Sequence, residues 1–285
     1  MAKRTTRRKV KTYDLDIVIP VYGRAELLTA CLASIEATKE DLNLQVILVD
    51  DQGPEQDELN NIYHSLNGTS RVIRHEQNHG FPKTVNDGLK VGTAPLVLVM
   101  NTDIELQPGA LEAMMAEFED ETVGIVGPLL LFPRNSIDPH RPPEKVQHAG
   151  LGVNFRGNII HLNIGWSADH PKVQERREVQ AVTGACVMLR RTTLKDVMKA
   201  YRDGGDPTPG PFNEVYGAGT YEDVELCFAA RSKEWKVIYT PQARAYHHVG
   251  ASVTAAGRGY PINRNEMIFK ARCGNLLMWD EWKYS

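Results

Sequence analysis

The sequence predicts an α/β fold, in which a mostly parallel sheet carries helices on its faces and is followed by a smaller, irregular half. Three observations point there. Leu96–Met100 is an unbroken apolar run that turns polar at Asn101, Thr102 and Asp103, the pattern of a strand buried on both faces. Strand and helix patterns alternate from residue 15 to about residue 127, which calls for parallel strands joined by right-handed helical crossovers. The strands carry polar groups at their ends, Tyr22, Asp51 and Asp103. In a parallel sheet those ends share one edge, where open α/β folds bind ligands.

The first strand is expected over Leu15–Val21, closed by Pro20, Tyr22 and Gly23. Leu27, Cys31 and Ile35, with Leu28 and Leu32, recur at helical spacing. Leu44–Val49 reads as a second buried strand that runs into Asp50 and Asp51, and Gly53-Pro54 marks the turn after it. Leu59, Ile62, Tyr63 and Leu66 mark an amphipathic helix, and residues 71–75 a short strand. Pro82 and Pro108 stand near the starts of two further helices, where a missing N–H costs nothing. Val123–Val126 is the next strand. Residues 133–178 are rich in Pro, His, Asn and Arg without a clear period, and are expected to be irregular with short strands near residues 150–155. Residues 179–189 form a candidate strand, 193–201 a helix, 203–219 a loop and 221–232 a helix, and a last strand runs from Trp235 to Thr240, closed by Pro241.

Composition narrows the function classes. A chain of 285 residues suits one large domain or two small ones, and 42% hydrophobic residues suffice for a substantial core. The division expected is a basic tail over residues 1–12 and one domain over 13–285, in two halves at 13–130 and 131–285. A net charge of −3 gives no overall pull toward polyanions. Lys3, Arg4, Arg7, Arg8, Lys9 and Lys11 nevertheless cluster ahead of the first strand, as a solvated tail or as a contact for anionic lipid or nucleic acid. The four cysteines are far apart and lack a C-x-x-C pair, which argues against a zinc site or a disulfide scaffold. No apolar run is long enough to span a bilayer and no secretory h-region opens the chain, so a cytoplasmic protein is expected.

Three groups of residues could carry chemistry. Asp103 with Asn101 two residues before it suits a divalent cation and a diphosphate, although an Asx turn capping the next helix accounts for the same residues. Glu222, Asp223 and Glu225 open a helix, either as acids favoured by the macrodipole or with one of them as a general base. His247 and His248 follow the last strand, where a ring nitrogen could complete a metal site.

In this order the motifs become recognisable. Residues 17–22 (IVIPVY), 48–51 (LVDD), 78–81 (NHGF) with Asn86 and Gly88, 101–103 (NTD), 183–185 (TGA), 211–214 (PFNE), 221–226 (YEDVEL) and 247–250 (HHVG) resemble the family-2 glycosyltransferases over about residues 14–255. The resemblance implies a GT-A fold, with a Rossmann-like sheet, and transfer of a sugar from a nucleotide diphosphate. It implies that Pro20, Val21 and Tyr22 flank the base and that Asp51 bonds the base or its ribose. Asn78, Gly80, Phe81, Asn86 and Gly184 belong to the same donor-binding set. Asn101, Thr102 and Asp103 match the motif usually written D-x-D, with Asp103 a ligand of Mn²⁺ or Mg²⁺. Asp223 resembles the catalytic base, with Glu222 beside it, and His247, which follows an aromatic residue, resembles a further metal ligand.

The physics of the reaction agrees with these roles. The departing diphosphate needs a cation, and a base opposite the anomeric carbon gives in-line displacement with inversion. Asn101 stands where many members have Asp, as in rhamnosyltransferase-like N-x-D variants, and residues 210–214 (GPFNE) replace a Gly-Gly-Phe-Asp-Glu segment near the acceptor. The expected donor is a UDP-, dTDP- or GDP-sugar. The expected acceptor is a glycan, a lipid-linked saccharide or another hydroxyl, with nucleic acid the remote case. Lys83 and Arg258 are candidate phosphate contacts or plain surface cations. Trp279, Trp282 and Tyr284 are expected to pack on the domain. Two rivals remain: a sugar-nucleotide-binding protein without turnover, which an assay beside calorimetry would reveal, and a nucleotidyltransferase, for whose glycine-rich basic signature near the first strand Gly23-Arg24 is too slight.

Overall fold

The computed structural model describes residues 13–66, 68–248 and 261–284. The basic cluster at residues 3–11, Val249, Gly250 and Arg258 lie outside the described residues. The first part alternates as expected: β1 (Leu15–Val21), α1 (Ala25–Thr38), β2 (Leu44–Asp50), α2 (Gln56–Ser65), β3 (Arg71–Arg74), α3 (Phe81–Val91) and β4 (Leu96–Met100). A short β5 (Ile104–Leu106), α4 (Ala110–Ala116) and β6 (Val123–Leu131) follow. The later part holds β7 (Val146–His148), β8 (Leu151–Val153), β9 (Ile159–His161), β10 (Arg177–Glu178), β11 (Cys186–Arg190), α5 (Arg191–Asp203), α6 (Glu222–Arg231), β12 (Lys236–His247) and α7 (Ile262–Cys273).

One large sheet runs in the order β10-β12-β6-β11-β4-β1-β2-β3, with β5 added to β12 and β7 to β6. From β3 to β4 the pairing is parallel throughout. The parallel pairing ends there, because β11 enters antiparallel between β4 and β6. Cys186–Leu189 is buried throughout, and such a strand belongs in the interior of a sheet rather than at its edge.

Both faces of this sheet are covered, which explains the unbroken apolar runs. In β1 the side chains of Leu15, Ile17 and Ile19 join one buried cluster with Leu28 and Ile35 of α1 and Met114 of α4. Val18 points the other way, into a cluster with Val85 of α3, Val197 of α5 and Phe228 of α6. The same division separates Leu98 from Val97 and Val99 in β4, as the two-residue period of a strand requires.

Pro241 does not close the last strand. The register of β12 against β6 jumps from Thr240↔Pro128 to Arg244↔Leu129, so Pro241, Gln242 and Ala243 form a bulge. A bulge is where a sheet tolerates a residue without an N–H. Beyond it β12 continues to His247 and pairs with β5, His247 facing Ile104. Packing of the C-terminal aromatics holds for Tyr284, which is buried, but Trp279 and Trp282 are 58% and 61% exposed. The segment is anchored by Asp280, whose Oδ1 accepts the Val153 N–H at 2.8 Å, and by Tyr284 four residues on. That spacing leaves the two tryptophans on the solvent side. Among the described residues no helix is long and apolar enough to cross a membrane.

Candidate active site

The parallel ends of β1, β2 and β4 bring Tyr22, Asp51 and Asn101–Asp103 to one edge of the sheet. The loops after β1 and β2 meet backbone to backbone: a Cβ on Gly53 would lie 2.3 Å from Gly23 N. Pro20 and Tyr22 are half-buried beside this contact, and Val21 is buried.

Asp51 is buried and binds the loop that follows β3. Its Oδ1 accepts the His79 N–H at 2.8 Å and lies 2.8 Å from His75 Nδ1, while Oδ2 accepts the Gly80 N–H at 2.9 Å. Gly80 has φ +87°, and a Cβ there would come within 2.2 Å of Gly217 O. Only glycine fits both the left-handed backbone and the close approach. Asn86 is buried, and its carboxamide grips the Phe212 peptide both ways: Nδ2 donates to Phe212 O at 2.7 Å and Oδ1 accepts the Phe212 N–H at 3.1 Å. Phe81 meets Phe212 edge-on at 6.0 Å, whereas Asn78 is exposed. Asp51, Gly80, Phe81 and Asn86 thus form one scaffold that joins the first half to residues 212–218. Lys83 is held by Asp87 at 2.8 Å.

At the end of β4, Asn101 N–H donates to Ala185 O at 2.9 Å. Thr102 and Asp103 are buried. Among the described residues Asp103 Oδ1 has no hydrogen-bond partner, yet it lies 3.3 Å from His247 Nε2. Burial opposes ionisation of Asp103, but His247 in its protonated form, a backbone N–H and then His248 outweigh it and hold its carboxyl below the usual range. His247 Nδ1 lies 3.0 Å from Gln147 Oε1, while His248 turns to Glu105 at 2.6 Å. The bulge at Pro241 is what carries His247 this far.

The acidic helix start divides into three different environments. Thr220 and Tyr221 both have left-handed backbones, φ 79° and 73°, just before α6, a conformation that non-glycine residues seldom hold without support. Asn265 of α7, fully buried, supplies it: its Nδ2 donates to Gly219 O at 2.7 Å and to Tyr216 O at 2.9 Å. Asp223 then accepts the Gly184 N–H on Oδ2 at 2.7 Å and the Val224 N–H on Oδ1 at 2.8 Å. Burial raises its pKa against the pull of those donors. Glu222 is buried, its Oε2 is unpartnered among the described residues, and burial with the neighbouring Asp223 raises its pKa well above the usual value. Glu225 is structural: it accepts from Arg272 Nη2 at 2.8 Å, from Asn213 Nδ2 at 2.9 Å and from the Tyr216 hydroxyl.

These contacts close a ring. Asp223 is tied to Gly184, the neighbouring Ala185 to Asn101, and Asp103 to His247. His247 meets Gln147 of β7, and the next residue, His148, accepts the Thr183 N–H at 3.4 Å. Burial and then His161 depress the pKa of His148, which keeps it neutral and able to accept. Gln147, His148 and Asn265 were not singled out by sequence. The first two stand in a stretch with no period, and Asn265 belongs to no motif.

The family model described as Glycosyl transferase family 2 matches residues 16–198. The chain is 27% identical over 249 residues to the O-antigen biosynthesis protein RfbC of Myxococcus xanthus, covering 85% of this chain and 18% of that protein. It is 24% identical over 237 residues to the pre-mycofactocin glycosyltransferase of Mycobacterium tuberculosis, covering 82% and 42%. It therefore spans less than half the length of these curated relatives. Among solved structures, GalNAc-T7 with UDP, GalNAc and Mn²⁺ superposes with a TM-score of 0.60 at 14% identity, covering 83% of this chain and 44% of that one. The mannosyltransferase PcManGT of Pyrobaculum calidifontis, with GDP-Man and Mn²⁺, gives 0.54 at 16% identity, covering 88% and 59%. At such identities the likeness is one of fold.

Proposed function

From the premise that this chain belongs to glycosyl transferase family 2 and has its GT-A fold, we propose that it is an inverting, cation-dependent glycosyltransferase acting on a nucleotide-diphosphate sugar. One observation carries the reading: Gly184-Ala185 holds Asp223 on one side and the Asn101–Asp103 motif on the other, with His247 against Asp103.

The residues present fit a divalent cation. A buried, unpartnered carboxylate oxygen faces an imidazole nitrogen, and both are atoms such an ion accepts. Among the described residues no group of three His, Cys, Asp or Glu side chains could hold an ion unaided. Asp103 and His247 would therefore share it with the donor's diphosphate oxygens. That need for the donor matches the neighbours, both solved with nucleotide and Mn²⁺. A bound Mn²⁺ or Mg²⁺ would neutralise the charge gathering on the departing diphosphate.

The chain's own residues do the rest. Asp223 takes the proton from the acceptor hydroxyl as the oxygen bonds to the anomeric carbon. The bond to the phosphate oxygen breaks on the opposite side, which inverts that carbon. A raised pKa makes Asp223 the stronger base, and the Gly184 N–H fixes the direction of its carboxylate. Pro20, Val21, Tyr22 and Asp51 form the base side of the donor site. Asp51 Oδ1 is engaged twice, by His75 and His79, and Oδ2 once, by Gly80, which leaves Oδ2 with acceptor capacity for the donor. Asn78, Gly80, Phe81, Asn86 and Thr102 shape the pocket, and Asn101 adds an amide where a second carboxylate would raise the negative charge.

The test is a thermal-shift screen of UDP-, dTDP- and GDP-sugars with Mn²⁺ or Mg²⁺. A donor at about 100 times its Kd adds about 2.7 kcal/mol, a shift that should require the cation and vanish in Asp103→Ala. A full panel that leaves the melting temperature unmoved contradicts the proposal.

A further inference from the structure

We propose that Gln147 is a positioning residue for His247: its side-chain carbonyl takes the Nδ1–H and leaves Nε2, the ring nitrogen beside Asp103, without a proton. Gln147 lies in β7, the three-residue strand laid antiparallel on β6. Its Oε1 is 3.0 Å from His247 Nδ1. The opposite edge of the ring lies 3.3 Å from Asp103 Oδ1, and that oxygen has no hydrogen-bond partner. A proton on Nε2 would therefore miss Asp103 in hydrogen-bonding geometry, while a proton on Nδ1 is well received. A neutral imidazole carries one N–H, so the side it bonds fixes the side left bare.

A bare ring nitrogen and an unpartnered carboxylate oxygen then lie 3.3 Å apart at the end of β4, and one cation can accept both. A ligating histidine usually has its second nitrogen held in this way, and loss of that partner typically costs 10–100-fold in metal affinity. The strand also ties the two halves of the site, since His148 receives the Thr183 N–H beside the Gly184 that holds Asp223. The consequence for metal affinity rests on the cation reading above. The direction of the ring does not.

Two measurements on the full chain separate these. Long-range ¹⁵N–¹H spectra of metal-free protein at alkaline pH, with His247 assigned by loss of its signals in His247→Gln, are expected to show the neutral ring carrying its proton on Nδ1. A proton found on Nε2 overturns the proposal. Mn²⁺ binding followed by electron paramagnetic resonance, with nucleoside diphosphate present, is expected to weaken about 10–100-fold in Gln147→Leu and to recover in Gln147→Glu, whose carboxylate also accepts the Nδ1–H. A folded Gln147→Leu that binds Mn²⁺ as the wild type does, or a folded Gln147→Glu that shows no recovery, overturns it. If Gln147→Leu fails to fold, Gln147→Glu and the wild-type spectrum decide. If the wild type takes up no Mn²⁺ but holds its proton on Nδ1, the cation reading fails and the role of Gln147 stands.

Discussion

Asp223 and Glu222 are chain neighbours with different surroundings, and the roles proposed for them follow that difference. Asp223 receives two backbone N–H groups, whereas Glu222 has an oxygen buried without a partner. Asp223→Asn is expected to lower kcat by about 10²–10⁴-fold, the usual worth of a positioned base, with donor binding in a thermal-shift assay retained. In the wild type, kcat/KM should fall as pH drops through the raised pKa of Asp223, above the ordinary aspartate range. For Glu222 the sign concerns stability. The native state keeps a proton that the unfolded chain releases above about pH 4.3. Stability is therefore full below that pH and declines as pH rises toward the native pKa. Glu222→Gln should remove the decline, so that its urea midpoint gains on the wild type between pH 4 and pH 8. A difference independent of pH would contradict the neutral assignment. The acidic cluster itself was legible in the sequence, but the division of labour was not. A residue's partners, here Gly184 for Asp223 and Arg272 for Glu225, lie 39 and 47 positions away.

Elements were legible where a single period runs unbroken. The strands from β1 to β4 and the helices between them lie where alternation of apolar runs placed them. Proline misled at β12, because a strand signal is read from local composition and a bulge is set by the neighbouring strand. The Pro241 bulge aligns β12 with both β6 and β5. Short β7 was invisible, since three residues cannot show a period. Loops were legible as glycines but not as contacts. Gly80→Ala meets both a left-handed backbone and Gly217 O at 2.2 Å, so it should destabilise by more than about 1 kcal/mol in urea unfolding. Gly184→Ala places its Cβ 3.0 Å from Asp223 Cβ. It should lower kcat through displacement of the base, with a smaller loss of stability than Gly80→Ala.

At the level of the whole molecule, the two halves read from sequence share one sheet, because β11 pairs with β4 and β6, and β12 with β6. Each face of that sheet is buried by residues from both halves, Val18 with Phe228 on one side and Leu28 with Ile238 on the other. Unfolding is therefore expected as one transition. Fluorescence of Trp166, Trp235, Trp279 and Trp282, all in the second half, should coincide with far-UV circular dichroism, and separated midpoints would show that the halves unfold independently. The shared sheet is also what brings residues from 51 to 247 to one edge. The sequence order of motifs identified the family, and the structure shows the hydrogen bonds that join those motifs through Gly184-Ala185.

The decisive measurement is release of nucleotide from a panel of UDP-, dTDP- and GDP-sugars incubated with the protein, an acceptor mixture and Mn²⁺ or Mg²⁺, repeated with chelator and with Asp103→Ala. Release from at least one donor, lost on chelation and in Asp103→Ala, is the expected result. Release that survives both, or a panel in which no donor is consumed, would contradict the assignment of this sheet edge to sugar transfer.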